Sequence, residues 1–330
     1  MLVIASPSIS KYDYFGITKV VYGQSVPDQT NTNSTNSLNL EDIPVEKVHV
    51  GDIDIAYKTF GKGEPILLIY GLGGNMSNWE PSILRNLSTN HTVIVFDKRG
   101  IGNTTVGTST NPFSIQQTAN DTAGLLEALK IQKADILGYS QGSFNAQQLA
   151  VTHPEKINRL ILVAAACGGK QSDSLKSHFS RDVDRRFSEI FNSSTDNVSL
   201  TRQDLIDSMN MSEGSAWLKS HPNLLQGIPE RQNVNVSDVH MKYSAAGQAW
   251  MSPNWSGVCD KLTRISSPTL IIAGTDDNAI APANSLLIAS KIPGAWSVHI
   301  KDAGHSIMNQ YPAEVAEILN TFLSTTSPNI

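Results

Sequence analysis

From Val45 onward, short apolar runs rich in β-branched residues alternate with stretches of helical periodicity. That alternation confines the chain to a mostly parallel sheet covered on both faces by helices. Val48 to Val50 and Ile53 to Phe60 read as a hairpin across Gly51-Asp52. Strand patterns follow at 65–70, 92–97, 134–139 and 157–165, separated by helical patterns at 79–87, 114–130 and 144–153. The helix at Ser114 opens with S-I-Q-Q, the signature of a capping box in which Ser114 and Gln117 satisfy free backbone donors. After an interruption the rhythm resumes, with strands at 269–273 and 296–300 and helices at 283–291 and 313–323.

The interruption, residues 170–259, is polar and mostly helical in pattern, and no strand reading fits it well. It is too long for a structureless loop, so it is expected to be a folded helical insert dividing one core, residues 45–169 and 260–330. Residues 1–44 lack periodicity over most of their length and read as a polar tail or linker. Met1 to Ala5 is too short for a signal-peptide core and has no basic residue before it, so either nothing targets the chain or its start is truncated. Eleven Asn-x-Ser/Thr sequons favour an exported, glycosylated chain, although a sequence rich in Asn, Ser and Thr produces sequons in any case. Cytoplasmic and extracytoplasmic locations both stay open.

Charge and composition exclude several functions. With 25 Lys+Arg against 30 Asp+Glu, the net charge of −5 offers no basic excess for a phosphate backbone, so nucleic acid is not an expected partner. The longest apolar run, Leu160 to Cys167, falls far short of the roughly 20 residues that span a bilayer. Neither cysteine, Cys167 or Cys259, stands in a C-x-x-C pair, so no metal or redox site is implied. No cofactor is expected, and the expected partner is a small-molecule substrate. Oligomeric state is not legible.

The strand at 134–139 runs directly into G-Y-S-Q-G, Gly138 to Gly142, with a helix immediately after. This is the nucleophile-elbow pattern in its required strand-turn-helix setting, with Ser140 on a strained turn that only small residues at 138 and 142 allow. A serine hydroxyl is a weak nucleophile at neutral pH and needs a base within hydrogen-bond reach and a carboxylate to orient that base. Downstream strand ends supply both: G-T-D-D at 274–277 and K-D-A-G-H at 301–305. Of eight histidines, His305 is the expected base, since it follows a glycine in a loop leaving a strand. His49, His153 and His299 fall in a hairpin, at a helix end and inside a strand, and His178, His221 and His240 belong to the insert. On residue type alone Asp276 and Asp277 are both candidates for the acid. The N–H of Gln141, the residue after the nucleophile, is expected to donate to an oxyanion.

From about Val45 to Leu323 the chain resembles the α/β-hydrolase fold superfamily, in its capped branch of esterases, lactonases and carbon-carbon bond hydrolases. The resemblance implies a mostly parallel eight-stranded sheet flanked by helices, with a helical cap inserted after the sixth strand. It places the acid third after the glycine, at Asp277. Y-G-L-G-G, Tyr70 to Gly74, is similar to the family's H-G-x-G loop, which makes the Leu72 N–H the second oxyanion donor, with Tyr70 standing where the family usually has His. D-K-R-G-I-G, Asp97 to Gly102, and H-P-E-K-I-N-R-L, His153 to Leu160, resemble structural segments of the family, with Arg99 tying loops together.

The insert sits where the family carries its cap. Its residues Trp217, Trp250, Trp255, Met209, Met211, Met241 and Met251 suit either an apolar pocket roof or packing of the cap on itself. Cys167 and Cys259 flank it closely and, in an exported chain, could pair at its base; otherwise they are inert thiols. The implied activity is a serine hydrolase cleaving a carboxylic ester, lactone or thioester of a small to medium apolar substrate through an acyl-enzyme. The alternatives are a carbon-carbon bond hydrolase with the same three residues and a non-catalytic member that binds an apolar ligand.

Overall fold

The hairpin forms as β1 (Glu46–Val50) and β2 (Ile53–Gly61), and the runs that follow are β3 (Glu64–Ile69), β4 (His91–Phe96), β5 (Ala134–Tyr139) and β6 (Ile157–Val163). Two further core strands, β9 (Thr269–Gly274) and β10 (Trp296–Ile300), complete an eight-stranded sheet in the order β1-β2-β4-β3-β5-β6-β9-β10. The protein is known here through a computed structural model that describes residues 40–108, 113–177, 181–186, 189, 198–234 and 236–325. Within this sheet only the pairs β1–β2 and β2–β4 run antiparallel; the others are parallel.

Every residue of β5 and β9 is buried, which is why these strands read as continuous apolar runs instead of alternating ones. Helices α2 (Ile115–Ala128), α3 (Gln141–Thr152) and α6 (Ala283–Lys291) cover one face of the sheet; α1 (Pro81–Ser88) and α7 (Pro312–Ser324) cover the other. The insert contributes α4 (Arg202–Glu213) and α5 (Asp238–Met251). This is the architecture that the resemblance to the α/β-hydrolase superfamily implies.

Several local expectations change. The insert contains strands after all: β7 (Val198–Thr201) pairs antiparallel with β8 (Arg231–Val234). Each is four residues long and largely polar, too short for a period-two pattern to stand out. Helix α3 begins at Gln141, three residues before its apolar periodicity, because the elbow turn passes straight into the helix. Helix α1 begins at Pro81 behind a Glu80 cap, leaving Trp79 in the preceding turn. Ser114 does accept the Gln117 N–H at 3.1 Å, but the Gln117 amide donates to Asp121 at 3.0 Å, so only half of the capping box forms.

Residues 40–43 are not loose tail: Leu40 and Ile43 pack against the core, and Lys58 Nζ donates to the Leu40 carbonyl. Residues 1–39 lie outside the described residues. Cys167 and Cys259 form a disulfide with Cα atoms 5.0 Å apart, resolving the choice between a pair and two inert thiols. Both are fully buried at the base of the insert, where the Val258 N–H also bonds the Cys167 carbonyl. Among the sequons, Asn90, Asn103, Asn120 and Asn254 are exposed; the Asn75 side chain instead caps a short turn. Asn33, Asn192, Asn197 and Asn235 lie outside the described residues. Among the described residues, no helix is long and apolar enough to cross a membrane.

Candidate active site

The sharpest backbone feature is Ser140, at φ 55° and ψ −124°, a conformation rarely adopted by a residue with a side chain. Two glycines make the turn possible. A Cβ on Gly138 would overlap the Gly142 backbone, and one on Gly142 would overlap the carbonyl of Ile69 on the neighbouring strand. The turn lifts the Ser140 side chain off the carboxyl end of β5 at the start of α3.

The loops after β9 and β10 emerge on the same edge. His305 Nε2 lies 2.8 Å from Ser140 Oγ, and His305 Nδ1 lies 2.9 Å from Asp277 Oδ2. All three side chains are buried, at 6%, 2% and 3% residual exposure for Ser140, His305 and Asp277, which shields the contacts from bulk water. The second Asp277 oxygen accepts the N–H groups of Ala279 and Ile280 at 2.9 and 2.8 Å, fixing the carboxylate. Asp276 takes no part: its Oδ2 accepts the Ala216 N–H at 2.7 Å and so holds the start of the short helix Ser215–Ser220 in the insert.

The His305 loop is pressed between the sheet and the insert. The Tyr139 hydroxyl donates to the His305 carbonyl at 3.2 Å, and burial, with Tyr70 and Asp277 nearby, keeps this phenol well above its ordinary pKa and therefore a donor. Ser306 donates from its N–H to the Ser212 carbonyl and from its hydroxyl to Glu213, while Gln310 bridges the Gly304 N–H and the Glu213 carboxylate. Glu213 is thus a buried residue of the insert that the sequence reading missed. Nothing in its local pattern distinguishes it from any polar helix-end residue.

The family model for the alpha/beta hydrolase fold matches residues 64–310. The chain belongs to the alpha/beta hydrolase family. Among its curated relatives, the poly(3-hydroxyalkanoate) depolymerase of Ectopseudomonas oleovorans is 28% identical over 260 residues, covering 78% of this chain and 84% of the relative. A 3-oxoadipate enol-lactonase of Acinetobacter baylyi is 26% identical over 260 residues, covering 77% of this chain and 87% of the relative. Among solved structures, an alpha/beta hydrolase fold protein from Chitinophaga pinensis superposes with a TM-score of 0.66 at 23% identity, covering 86% of this chain and 98% of that one.

In this alpha/beta hydrolase the loop after β3 lies directly over Ser140. A Cβ on Gly71 would come within 3.0 Å of Ser140 Cβ, so a larger residue would have to displace one or the other. Leu72 follows at the wall of a cavity of about 470 Å³ that also reaches Ser140 and Gln141. Gln141 is the first residue of α3, where N–H groups have no intrahelical acceptor, and its side chain donates to the Tyr243 carbonyl of α5 at 2.7 Å.

Phe144, Met241, Met251 and Ile280 form an apolar wall of the cavity, which also takes in the charged side chains Asp173, Lys176, Asp184 and Arg185. The two readings of the Trp and Met residues therefore divide: Met241 and Met251 line the cavity, and Trp250 packs behind it, stacked on Phe144 and against Trp255. Met209 and Met211 pack within the insert's own core, and Trp217 stacks on His221. His240 also lines the cavity, against Gly73, a placement the sequence does not signal. His178 lies outside the described residues.

Arg99 ties loops as expected, with two bonds to Asp121 at 2.9 and 2.8 Å and one to Asp52 at 2.7 Å. Its neighbour Lys98, which the motif reading passed over, is buried and donates to the Tyr70 and Gly71 carbonyls. Among the described residues, no group of three or more His, Cys, Asp or Glu is placed to hold a metal ion.

Proposed function

We propose that this alpha/beta hydrolase is a serine hydrolase cleaving a carboxylic ester, lactone or thioester of a small to medium apolar substrate through an acyl-enzyme. The observation that carries the reading is the relay Ser140 Oγ, His305 Nε2, His305 Nδ1, Asp277 Oδ2, with hydrogen-bond separations of 2.8 and 2.9 Å, at a strained elbow facing a cavity with an apolar wall and a charged rim of Asp173, Lys176, Asp184 and Arg185. His305 takes the hydroxyl proton as Ser140 Oγ attacks the carbonyl carbon, and Asp277 holds the imidazole in the tautomer that can accept it. Leu72 and Gln141 N–H groups receive the oxyanion, where pre-set donors stabilise developing charge more than water does. The tetrahedral centre collapses with the leaving oxygen or sulfur taking the His305 proton, and water, deprotonated by His305, releases the acid.

The segment between β6 and β9 acts as a cap whose helix α5 supplies much of the cavity roof. Relatives named as a poly(3-hydroxyalkanoate) depolymerase and as a 3-oxoadipate enol-lactonase support an acyl-oxygen bond as the target. The buried disulfide favours an oxidising, extracytoplasmic compartment.

The test is hydrolysis of p-nitrophenyl esters graded by acyl length, with lactones and thioesters in parallel, by the wild type and Ser140→Ala. Loss of about 10⁶-fold in kcat, by analogy with removal of a nucleophilic serine, is expected in a folded variant. Ester turnover retained by Ser140→Ala, or a wild type that binds apolar esters without cleaving them, overturns the reading. Cleavage confined to an enol-keto acid would instead establish the carbon-carbon alternative.

A further inference from the structure

The loop carrying Leu72 is glycine-rich, with Gly71, Gly73 and Gly74 around it, and Gly73 sits at φ 65°. Such a segment is flexible by composition, yet an oxyanion donor has to be held still. The end of β4 clamps it twice. Asp97 accepts the Met76 N–H at 2.8 Å and the Asn103 N–H at 2.8 Å, and Lys98 reaches across to the carbonyl oxygens of Tyr70, at 2.8 Å, and Gly71.

The Gly71 carbonyl and the Leu72 N–H are the two ends of one planar trans peptide, so they point in opposite directions. A cation on the oxygen end draws electron density from the nitrogen end and makes that N–H a stronger donor. We infer that Lys98 is a positioning residue of the oxyanion hole: its ammonium, seated on the Gly71 carbonyl, holds and polarises the 71–72 peptide so that the Leu72 N–H meets the developing oxyanion. This deepens the serine-hydrolase reading and rests on it.

The surroundings of Lys98 set how its charge responds to pH. Asp97 precedes it on its own segment; Arg99 follows, engaged by Asp121 and Asp52. From α5, the Tyr243 ring lies with its centroid 5.2 Å from Nζ and its hydroxyl on the Arg99 carbonyl, while His240 packs on Gly73. From the β3 loop come the two carbonyls, with the Tyr70 ring turned against Trp79 and Tyr139. Burial pushes the Lys98 ammonium down to about 7, with Asp97 pulling the other way. A neutral amine can still donate a hydrogen bond but no longer polarises the peptide as a charge does. Activity should therefore fall on the alkaline side as Lys98 loses its proton.

The experiment is the rate of Ser140 labelling by a fluorophosphonate, which needs no knowledge of the natural substrate. Ser140 Oγ bonds to phosphorus, the P–F bond breaks, fluoride leaves and the hydroxyl proton passes to His305, with the phosphoryl oxygen in the oxyanion hole. Rates are compared from about pH 6 to about pH 9 for the wild type, Lys98→Met and Lys98→Arg. The wild-type rate is expected to fall on the alkaline side. Lys98→Met is expected to fall about tenfold to a hundredfold and to lose the alkaline limb, below the roughly 10² to 10³ of deleting a donor outright. Lys98→Arg, charged throughout this range, is expected to exceed Lys98→Met and to stay level on the alkaline side. Melting temperatures report folding, and should Lys98→Met not fold, the wild-type profile and Lys98→Arg decide. A wild type with no alkaline limb, or Lys98→Met with the wild-type rate and limb, overturns the assignment. A wild type that is not labelled at Ser140 removes the serine reading and this one with it, whereas a labelled wild type with unaltered variants removes this one alone.

Discussion

Asp276 and Asp277 are adjacent in the chain and serve different parts of the molecule: Asp277 lies 2.9 Å from His305 Nδ1, while Asp276 accepts the Ala216 N–H of the insert at 2.7 Å. Asp277→Asn should therefore lower kcat by about 10⁴, because an amide favours the wrong imidazole tautomer. Asp276→Ala should leave the chemistry nearly intact and cost about 1 kcal/mol of stability, the scale of a lost helix-start bond. Steady-state kinetics beside urea unfolding of the two variants would expose a mistaken assignment as the reverse pattern.

The insert and the His305 loop share Glu213. Removing its carboxylate in Glu213→Ala frees the Ser306 hydroxyl and leaves the Gln310 amide only its bond to the Glu213 carbonyl, loosening the residues on either side of His305. Small misplacement of a base is costly, so kcat should drop about tenfold to a hundredfold with a smaller change in KM. An unchanged kcat would show that Tyr139 and the insert's backbone carbonyls of Ser212 and Glu213 suffice to position His305.

Gly142→Ala tests the elbow independently of activity. The added methyl overlaps the Ile69 carbonyl oxygen, which belongs to a strand and cannot swing aside. A loss above about 3 kcal/mol, or failure to accumulate as folded protein, is expected. Wild-type melting behaviour in this variant would mean that the turn can relax.

The disulfide closes a loop of 92 residues that contains the insert. Replacing both partners, as Cys167→Ser with Cys259→Ser, should lower unfolding free energy by about 2–5 kcal/mol through the freedom returned to the unfolded chain. Denaturant unfolding of this double variant, or of the wild type with strong reductant, reads the effect. Equal midpoints with and without the bond would contradict it.

Lys98 makes a prediction for stability as well as for chemistry. Its folded pKa, about 7, lies below the unfolded value of about 10.4, so between those limits the unfolded chain binds the extra proton. Stability then rises with pH across that window. Burying the charged form is most costly below about pH 7, and the difference between wild type and Lys98→Met should shift in favour of the wild type from about pH 7 to about pH 10. Urea unfolding of both proteins at several pH values gives the slope, and other titrating groups cancel in the difference. A flat or falling difference would mean that the lysine is solvated.

What was legible in the sequence was whatever the chain encodes over a few neighbouring residues. Strand and helix periodicity records which faces are buried, so the succession of strands and helices along the chain could be read before any coordinates. Ser140 was marked by Gly138 and Gly142 because the strain of the elbow is local, and His305 by its place after a strand and a glycine. Tertiary structure alone decided the rest. The family resemblance pointed to Asp277 as the acid, but that Asp276 is turned to the insert instead, holding the Ala216 N–H, shows only in the folded chain. The pairing of Cys167 with Cys259, the strands β7 and β8, the Glu213 latch and the reach of Lys98 to Gly71 all join residues remote in the chain. Periodicity carries no record of such meetings, because they form only when the core has collapsed and set the distances between its loops.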